Sequence, residues 1–533
     1  MTGQDTVDVT DTQPGLRIGL AFDGAPEPWV LRLVERICTE DGMQLVALIA
    51  PGDTSQAPPS AWMFKALMAI EKRIIARPLA ANAPLSDAAL KALKHVSDTN
   101  TDILKPLNMD VVLDFSGRAN VAALGTVSNH GVWSLDICIR PDQSAGYQAT
   151  AKDVPASTFA LLQTTLDHSH PRIIATGALN SKVFATRNTL LMKEKAPIMI
   201  LRELRRLRDT GHVEHLADYQ PPAFKTPGLI GLSKYFLRII GGVFDWAWEK
   251  VAADILRTRP GMFFLKTGTG NILNFDPDTA ATVDPQGNHY WADPYLYERD
   301  GETYCFFEDY DYQTHQGYLC VGRFDGDKLV EVKDAIKTDY HLSYPFLFEE
   351  GGELFMLPET HQTQRLEIWR CTDFPYQWEL HATALEGVIA ADTSLNLIDG
   401  QWWLFSNISS DITGEQNSEL HVFQIDGPSL NTIIPHKLNP VVLDSRTARN
   451  AGRIHCLDGR IFRPSQDNAF GLYGYGLNIM EIEELSLDQY REKRIRHIQP
   501  DLKSGIIGCH HFDAVGDRFI IDVRRKSGGR PVK

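Results

Sequence analysis

Five glycines constrain this chain more than any other feature. Gly301, Gly352, Gly400, Gly459 and Gly516 lie 51, 48, 59 and 57 residues apart, each in a tight turn between two apolar runs. WADPYLYERDGETYCFFE, from Trp291, and LSYPFLFEEGGELFMLPE, from Leu342, share Pro294/Pro345, Leu296/Leu347, Glu298/Glu349, Glu302/Glu353 and Glu308/Glu359 in register. IAADTSLNLIDGQWWLFSN is a third copy, with Asp392 as far before its glycine as Asp293 is before Gly301. NAGRIHCLDGRIFRPSQD and IIGCHHFDAVGDRFIIDV are weaker fourth and fifth copies. An apolar strand, a glycine turn of the D-G or G-G kind and a second apolar strand make a β-hairpin. Further strand-like sequence follows each hairpin, as in YLCVGRF, LEIWRC, ELHVFQI and LNIMEIEEL. Four strands in roughly 50 residues make one propeller blade, so five copies predict a five-bladed β-propeller over 266–533. A β-sandwich with accidental similarity is the alternative, and the in-register glycines and flanking aromatics argue against it.

Hairpin geometry then locates the polar residues. The start of the first strand and the end of the second lie at the same edge of a blade. Asp293, Glu308, Glu359, Asp392, Asn407, Gln466 and Asp467 should therefore gather at the mouth opposite the turns, with His510 slightly deeper. Carboxyls that converge on one opening suit glycosidic-bond chemistry, which needs one protonated and one ionised acid. The expected catalytic set is Asp293 as base or nucleophile and Glu359 as acid, with Glu308 in reserve and Asp392 orienting the sugar or tuning the acid. Arg453, Arg463, Gln466, Asp467, His510 and Asn407 are the expected substrate-binding groups. Each of these also has a structural reading, as a turn or inter-blade hydrogen-bond partner; Arg463 could pair with Asp467. His510 and His511 lack a second histidine at ligand spacing, so no metal is expected, and no cofactor motif stands out.

The N-terminal half reads differently. Strand-like Leu16–Gly24, Met43–Asp53, Met109–Gly117 and His130–Ile139 alternate with helical stretches, including 61–75 and 86–97, which predicts a Rossmann-like α/β domain over 15–200 after a disordered tail at 1–14. The first turn, FDGAPEPW, has one glycine and two prolines, which argues against a dinucleotide site. The segment 201–265 reads as a helical connector. GLIGLSKYFLRIIGGVFDWAWEKVAADILRTRPG carries a broad apolar stripe with Lys234 and Arg238 beside it. It suits either interdomain packing or peripheral contact with a membrane surface, and it is too interrupted to span one.

A net charge of −15 argues against a nucleic-acid partner. The seven cysteines are widely spaced without a C-x-x-C, and the polar, acidic start lacks a secretory h-region, so the cytoplasm is the expected compartment.

Two resemblances add to this reading. DVVLDFSG…HGVWSLD resembles the N-terminal domain of formyl-tetrahydrofolate-dependent formyltransferases. Formyl transfer needs a histidine and an asparagine beside an aspartate. SLDICIRPDQ keeps Asp136 alone, which implies a catalytically silent scaffold or binding domain. In the propeller, Ala292-Asp293-Pro294 and Asp392 resemble the family 43 glycoside hydrolases. That resemblance implies Asp293 as base or nucleophile, Asp392 as the residue that tunes the acid, and a fourth-blade glutamate as the acid. The aligned fourth-blade start here is Ala451-Gly452-Arg453. YPFLFEEGGELFMLPE, ADTSLNLIDGQWWLF and AGRIHCLDGRIFRPSQDNAFGLYGYGLNIMEIEEL resemble more closely the N-terminal propeller of plant glucosamine inositolphosphorylceramide transferases, a family that implies glycan or glycolipid work. Three functions stay open: an enzyme that cleaves or transfers a glycosyl unit, a carbohydrate-binding or scaffold module with a vestigial site, and an acyl transferase acting on an amino-sugar.

Overall fold

The computed structural model describes residues 15–52, 62–75, 93, 95–140, 142–152, 154–254, 262–285, 287, 289–501 and 504–525. The predicted tail at 1–14 lies outside them. The chain divides into two compact units that interleave: Met1–Ala145, Phe159–Gly177 and Met192–Gly228 form one, and Gly146–Thr158, Ala178–Leu191 and Leu229–Lys533 form the other.

The N-terminal α/β region is built on an eight-stranded sheet. Leu16–Ala21 runs parallel to Met43–Ala50 on one side and to Val111–Asp114 on the other, and Val132–Leu135 continues the parallel run. Ile18, Leu20, Val112, Leu113 and Trp133 are fully buried or nearly so. This is what near-continuous apolar strands covered on both faces require. Ala156–Thr164 then pairs antiparallel with Val132–Leu135. The helix expected over 86–97 is contradicted at its end: His95–Ser97 is an edge strand parallel to Met43–Ala50, with β-branched Val96 buried against the sheet's core. The rest of that expectation, up to residue 92, lies outside the described residues. In the first turn, Glu27 takes the Lys193 ammonium at 2.7 and 2.9 Å, and Pro28 opens the helix that follows. Asp136 is committed to structure as well. Its carboxylate accepts the Ala160 amide at 2.9 Å and pairs with Arg140.

The second unit contains a five-bladed propeller. Blades 1 and 2 begin with the hairpins His289–Arg299/Glu302–Asp311 and Ser343–Glu350/Glu353–Glu359. Blades 3 and 4 follow with Ala390–Ile398/Gln401–Ile408 and His455–Leu457/Arg460–Asp467, each sheet continuing outward in chain order. Blade 5 is composite. Ile506–Val515 and Arg518–Arg525 form its inner hairpin, and Met262–Thr269 and Ala281–Val283, from the start of the region, form its outer strands. The ring therefore begins at Met262, and its first strand is its closing clasp. Tyr295, Phe306, Phe346, Leu347, Met356 and Leu404 are buried between neighbouring blades, each large side chain stabilising the ring by about 1.5–3 kcal/mol.

Candidate active site

The inner strands are not regular. Pairing in the first three hairpins skips from Ala292 to Tyr295, from Ser343 to Phe346 and from Ala391 to Ser394. The skipped stretch in each contains one residue with left-handed backbone: Asp293 (φ 52°), Tyr344 (φ 50°) and Asp392 (φ 44°). Such a bulge re-aims the strand and turns a backbone N–H out of the ladder. The freed amides serve the preceding blade of the ring. The Asp293 amide donates to Asp522 (3.1 Å), the Tyr344 amide to Asp293 (3.3 Å) and the Asp392 amide to Glu359 (3.1 Å). Left-handed backbone at a non-glycine residue costs about 1–3 kcal/mol and collects at functional sites.

The bulges gather the expected acids into one buried cluster. Burial pushes the Asp293 carboxyl up to about 7; His510 and Arg449 pull it down, while Asp522 and Asp392 push it further up. Burial likewise carries Glu359 up to about 8, aided by Asp392 and opposed by Arg449. Glu308 is held well above the carboxylate range by burial and by Asp293, although the Tyr290 hydroxyl donates to it at 3.1 Å. Asp392 is ion-paired, with Arg449 Nε at 2.6 Å and Gln466 Nε2 at 2.9 Å. Burial alone would raise Asp522, but His510 and His511 outweigh it and hold Asp522 low. His510 Nδ1 stands 2.6 Å from Asp522, and its Nε2 is 3.9 Å from Asp293. Burial lowers His510, and the Asp522 carboxylate more than restores it. Burial takes His511 down to about 4.

Asp293, His510 and Asp522 offer ligand atoms within 4.8 Å of one another, a spacing that could hold a cation. The Asp293 carboxylate accepts the Tyr344 amide. Asp522 takes the amides of His510, His511 and Asp293 besides the His510 ring.

Other expected binding residues are placed differently. Asn407 is fully buried; its amide donates to Glu419 O and Ala448 O, and its carbonyl accepts the Asn450 amide. It does for blades 3 and 4 what Glu359 does for blades 2 and 3. Arg463 is also fully buried, and pairs with Glu492 rather than Asp467. Its fork reaches Glu492, Asn450, Thr447 O and Ala448 O, which uses every donor it has. Arg453 turns toward the hairpin-turn end. It binds Asp513, Leu347 O and Leu296 O, and with Phe348 and Trp402 it lines a separate cavity of about 200 Å³. Gln466 joins the cluster through Asp392, whereas Asp467 pairs with His497 at 2.9 Å. Below the acids, Tyr295, Tyr344 and His511 meet edge to face at 4.7–5.4 Å and form a floor across the axis.

Besides Tyr473, the cluster includes Arg449, Asp522, Tyr290 and His341, which escaped the sequence reading. The Arg449 guanidinium lies 5.0 Å from the Tyr473 ring centre, and His341 Nε2 lies 3.3 Å from Glu308. Asp522 had no repeat signal: it stands six residues past its turn glycine, against seven for Glu308 and Glu359, and pairs with His511 as Phe306 pairs with Tyr295. Arg449 had none, because it sits in an irregular segment outside the repeat.

Residues 278–510 match the family described as "Glucosamine inositolphosphorylceramide transferase 1, N-terminal". The curated relatives carry that name too. The protein from Oryza sativa subsp. japonica is 32% identical over 247 residues, covering 44% of this chain and 33% of its own. The one from Arabidopsis thaliana is 30% identical over 235 residues, covering 42% and 30%. The chain thus spans about a third of the length of these relatives. Among solved structures, a family 117 glycoside hydrolase from Zobellia galactanivorans aligns at 10% identity and TM-score 0.33, covering 50% of this chain and 92% of its own. An exo-β-1,3-galactanase from Phanerochaete chrysosporium aligns at 11% identity and TM-score 0.34, covering 48% and 64%.

Proposed function

We propose that the propeller mouth cleaves or transfers a glycosyl unit of a glycan or glycolipid precursor. Asp293 is the base or nucleophile and Glu359 the proton donor. The observation that carries this reading is the carboxyl cluster, in which burial and charge leave Asp293 near 7 and Glu359 near 8 beside an arginine-paired Asp392. Carboxyls raised into the neutral range, so that one can hold a proton while a neighbour gives one up, are what glycosyl chemistry near neutral pH uses. Glu359 then supplies the proton that the missing fourth-blade glutamate would supply elsewhere. Asp392 holds Arg449 against Glu359, and Tyr473 offers a ring face beside the acids. Glu308 remains the reserve donor, because the neighbouring bulge amide at Tyr344 goes to Asp293 and leaves Glu308 with the His341 ring rather than a bulge amide beside it. The matched relatives are named for a transferase of an inositolphosphorylceramide, which supports a glycolipid over a free sugar.

A second reading, a carbohydrate-binding module without turnover, is favoured by the aromatic floor and by acids whose side chains are only 4–14% exposed. A turnover screen over glycans, nucleotide sugars and glycolipids, with Asp293→Asn beside the wild type, separates the two. The catalytic reading predicts a loss of about 10²–10⁴-fold in kcat/KM with sugar binding kept. Sugar binding by the wild type with no turnover on any substrate supports the module. Equal turnover in both proteins removes Asp293 from the chemistry.

A further inference from the structure

The inner strand of blade 4 is the shortest in the ring. His455–Leu457 has 3 residues, where the inner strands of blades 1, 2, 3 and 5 have 11, 8, 9 and 10. The chain enters it through Gly452, which makes an isolated bridge to Phe512 of blade 5, and then Arg453 and Ile454. The cavity of about 200 Å³ opens beside this short strand, against the inner strands of blades 2 and 3, at the hairpin-turn end. Asn396 on its wall stands four residues past Asp392 on the same strand, about 13 Å along it. The cavity is therefore separate from the acids at the mouth.

Its walls are apolar and its edges are not. Phe348 and Trp402 meet at 71° with ring centres 6.0 Å apart, and Leu395, Ile398 and Ile454 continue the apolar lining. Asn396 is only 8% exposed. Its amide N–H donates to Ser394 Oγ at 3.0 Å, and its carbonyl oxygen takes no donor among the described residues. Glu349, at the exposed rim, accepts the Tyr297 hydroxyl at 2.6 Å. Arg453 spends four of its five N–H groups on Asp513, Leu347 O and Leu296 O, and Asp513 meets its charge. Buried polar atoms are nearly always paired, so the Asn396 oxygen marks a hydrogen bond that a bound molecule would complete.

We propose that this cavity binds one sugar ring without an acidic group, the end of a glycan, as a second saccharide site. A pyranose carries C–H groups on its face, which suit the negative ring faces of Phe348 and Trp402. Its hydroxyls both donate and accept, so they serve the Asn396 oxygen, the Glu349 carboxylate and the remaining Arg453 N–H together. A wholly apolar ligand would bury the Asn396 oxygen unpaired. An acidic ligand would meet the Glu349 charge while Arg453 is already neutralised. The volume lies below the roughly 300–1,000 Å³ of drug-sized pockets, which suits one ring rather than a longer chain. A sugar held here does not reach the acids, so the site tethers the protein to a glycan and does not depend on the chemistry proposed for the mouth.

Cys456 lines the cavity and is exposed, which makes its thiol a reporter on the native chain. Cys38, exposed in the α/β region, is the internal control. The full chain is treated with N-ethylmaleimide, and both cysteines are followed by peptide mass spectrometry. The methyl glycosides of glucose, galactose, mannose, xylose and N-acetylglucosamine are added in turn, with glucuronate as the acidic counterpart. At about ten times its dissociation constant, measured by NMR titration, a bound sugar should slow Cys456 alkylation about tenfold and leave Cys38 unchanged. Asn396→Ala, its circular dichroism unchanged, should weaken that sugar about three- to tenfold. Glucuronate should leave Cys456 unprotected. A panel in which no sugar protects Cys456, a bound sugar that leaves Cys456 as reactive as before, or equal protection by glucuronate would overturn the proposal. The readout needs no turnover, so its failure leaves the reading of the mouth untouched.

Discussion

At Glu359 burial and Asp392 act in one direction and Arg449 in the other. Replacing Arg449 with Met should therefore raise the proton affinity of Glu359 further and move the alkaline limb of activity upward, while Arg449→Lys should restore most of the original limb. A pH–rate series on the three proteins checks this. The same raised affinities carry a stability consequence. Asp293 and Glu359 bind protons in the folded chain that they release near their ordinary values, 3.8 and 4.5, when unfolded. Stability therefore falls as pH rises from about 4 to about 8. Glu359→Gln, which keeps an oxygen for the Asp392 amide, should melt at a higher temperature than the wild type at pH 8 and close to it at pH 4. Thermal scans at the two pH values read this directly. The sequence placed Asp293, Glu308, Glu359 and Asp392 together because each repeats at a fixed distance from a turn glycine. It did not separate Glu359 from its blade-3 equivalent Asn407, which spends all its hydrogen bonds on backbone. Repeat position fixes where a side chain starts, and the neighbouring blade decides what it binds.

Among the elements, the hairpins were legible because period-2 alternation and a glycine turn are local signals. The bulges were not: Asp293 and Asp392 tolerate left-handed backbone, but aspartates do so mostly in turns, and Tyr344 gives no such signal. The clasp was not legible either. Met262–Thr269 carries no copy of the repeat, and its partner Arg525 pairs with Met262 from the far end of the chain. Removing Met262–Thr269 should leave Arg518–Arg525 an open edge and abolish cooperative unfolding of the propeller in denaturant titration. Blade 4 enters the ring through Gly452, at φ 130°, where an added Cβ would lie 1.9 Å from Phe512 O. Gly452→Ala should cost about 3 kcal/mol or more, read as a lower denaturant midpoint.

For the molecule as a whole, the ring brings residues from distant parts of the chain into one electrostatic unit. Asp522 and His510 from blade 5, Asp293 and Glu308 from blade 1, Glu359 from blade 2, Asp392 from blade 3 and Arg449 from the approach to blade 4 all act on one another. The interleaving of the two units was not readable from composition, because segments 146–158 and 178–191 look like ordinary parts of the α/β region yet group with the propeller. In the proposed chemistry one carboxyl gives a proton while another takes one across this cluster. Its most direct test is kcat/KM against pH on whichever glycosyl substrate the screen identifies. A narrow bell is expected, rising as the pair loses its first proton near 7 and falling as it loses the second near 8, with the alkaline limb absent in Glu359→Gln. A profile flat from pH 5 to pH 9, or a limb near 8 that survives in both Glu359→Gln and Glu308→Gln, would contradict it.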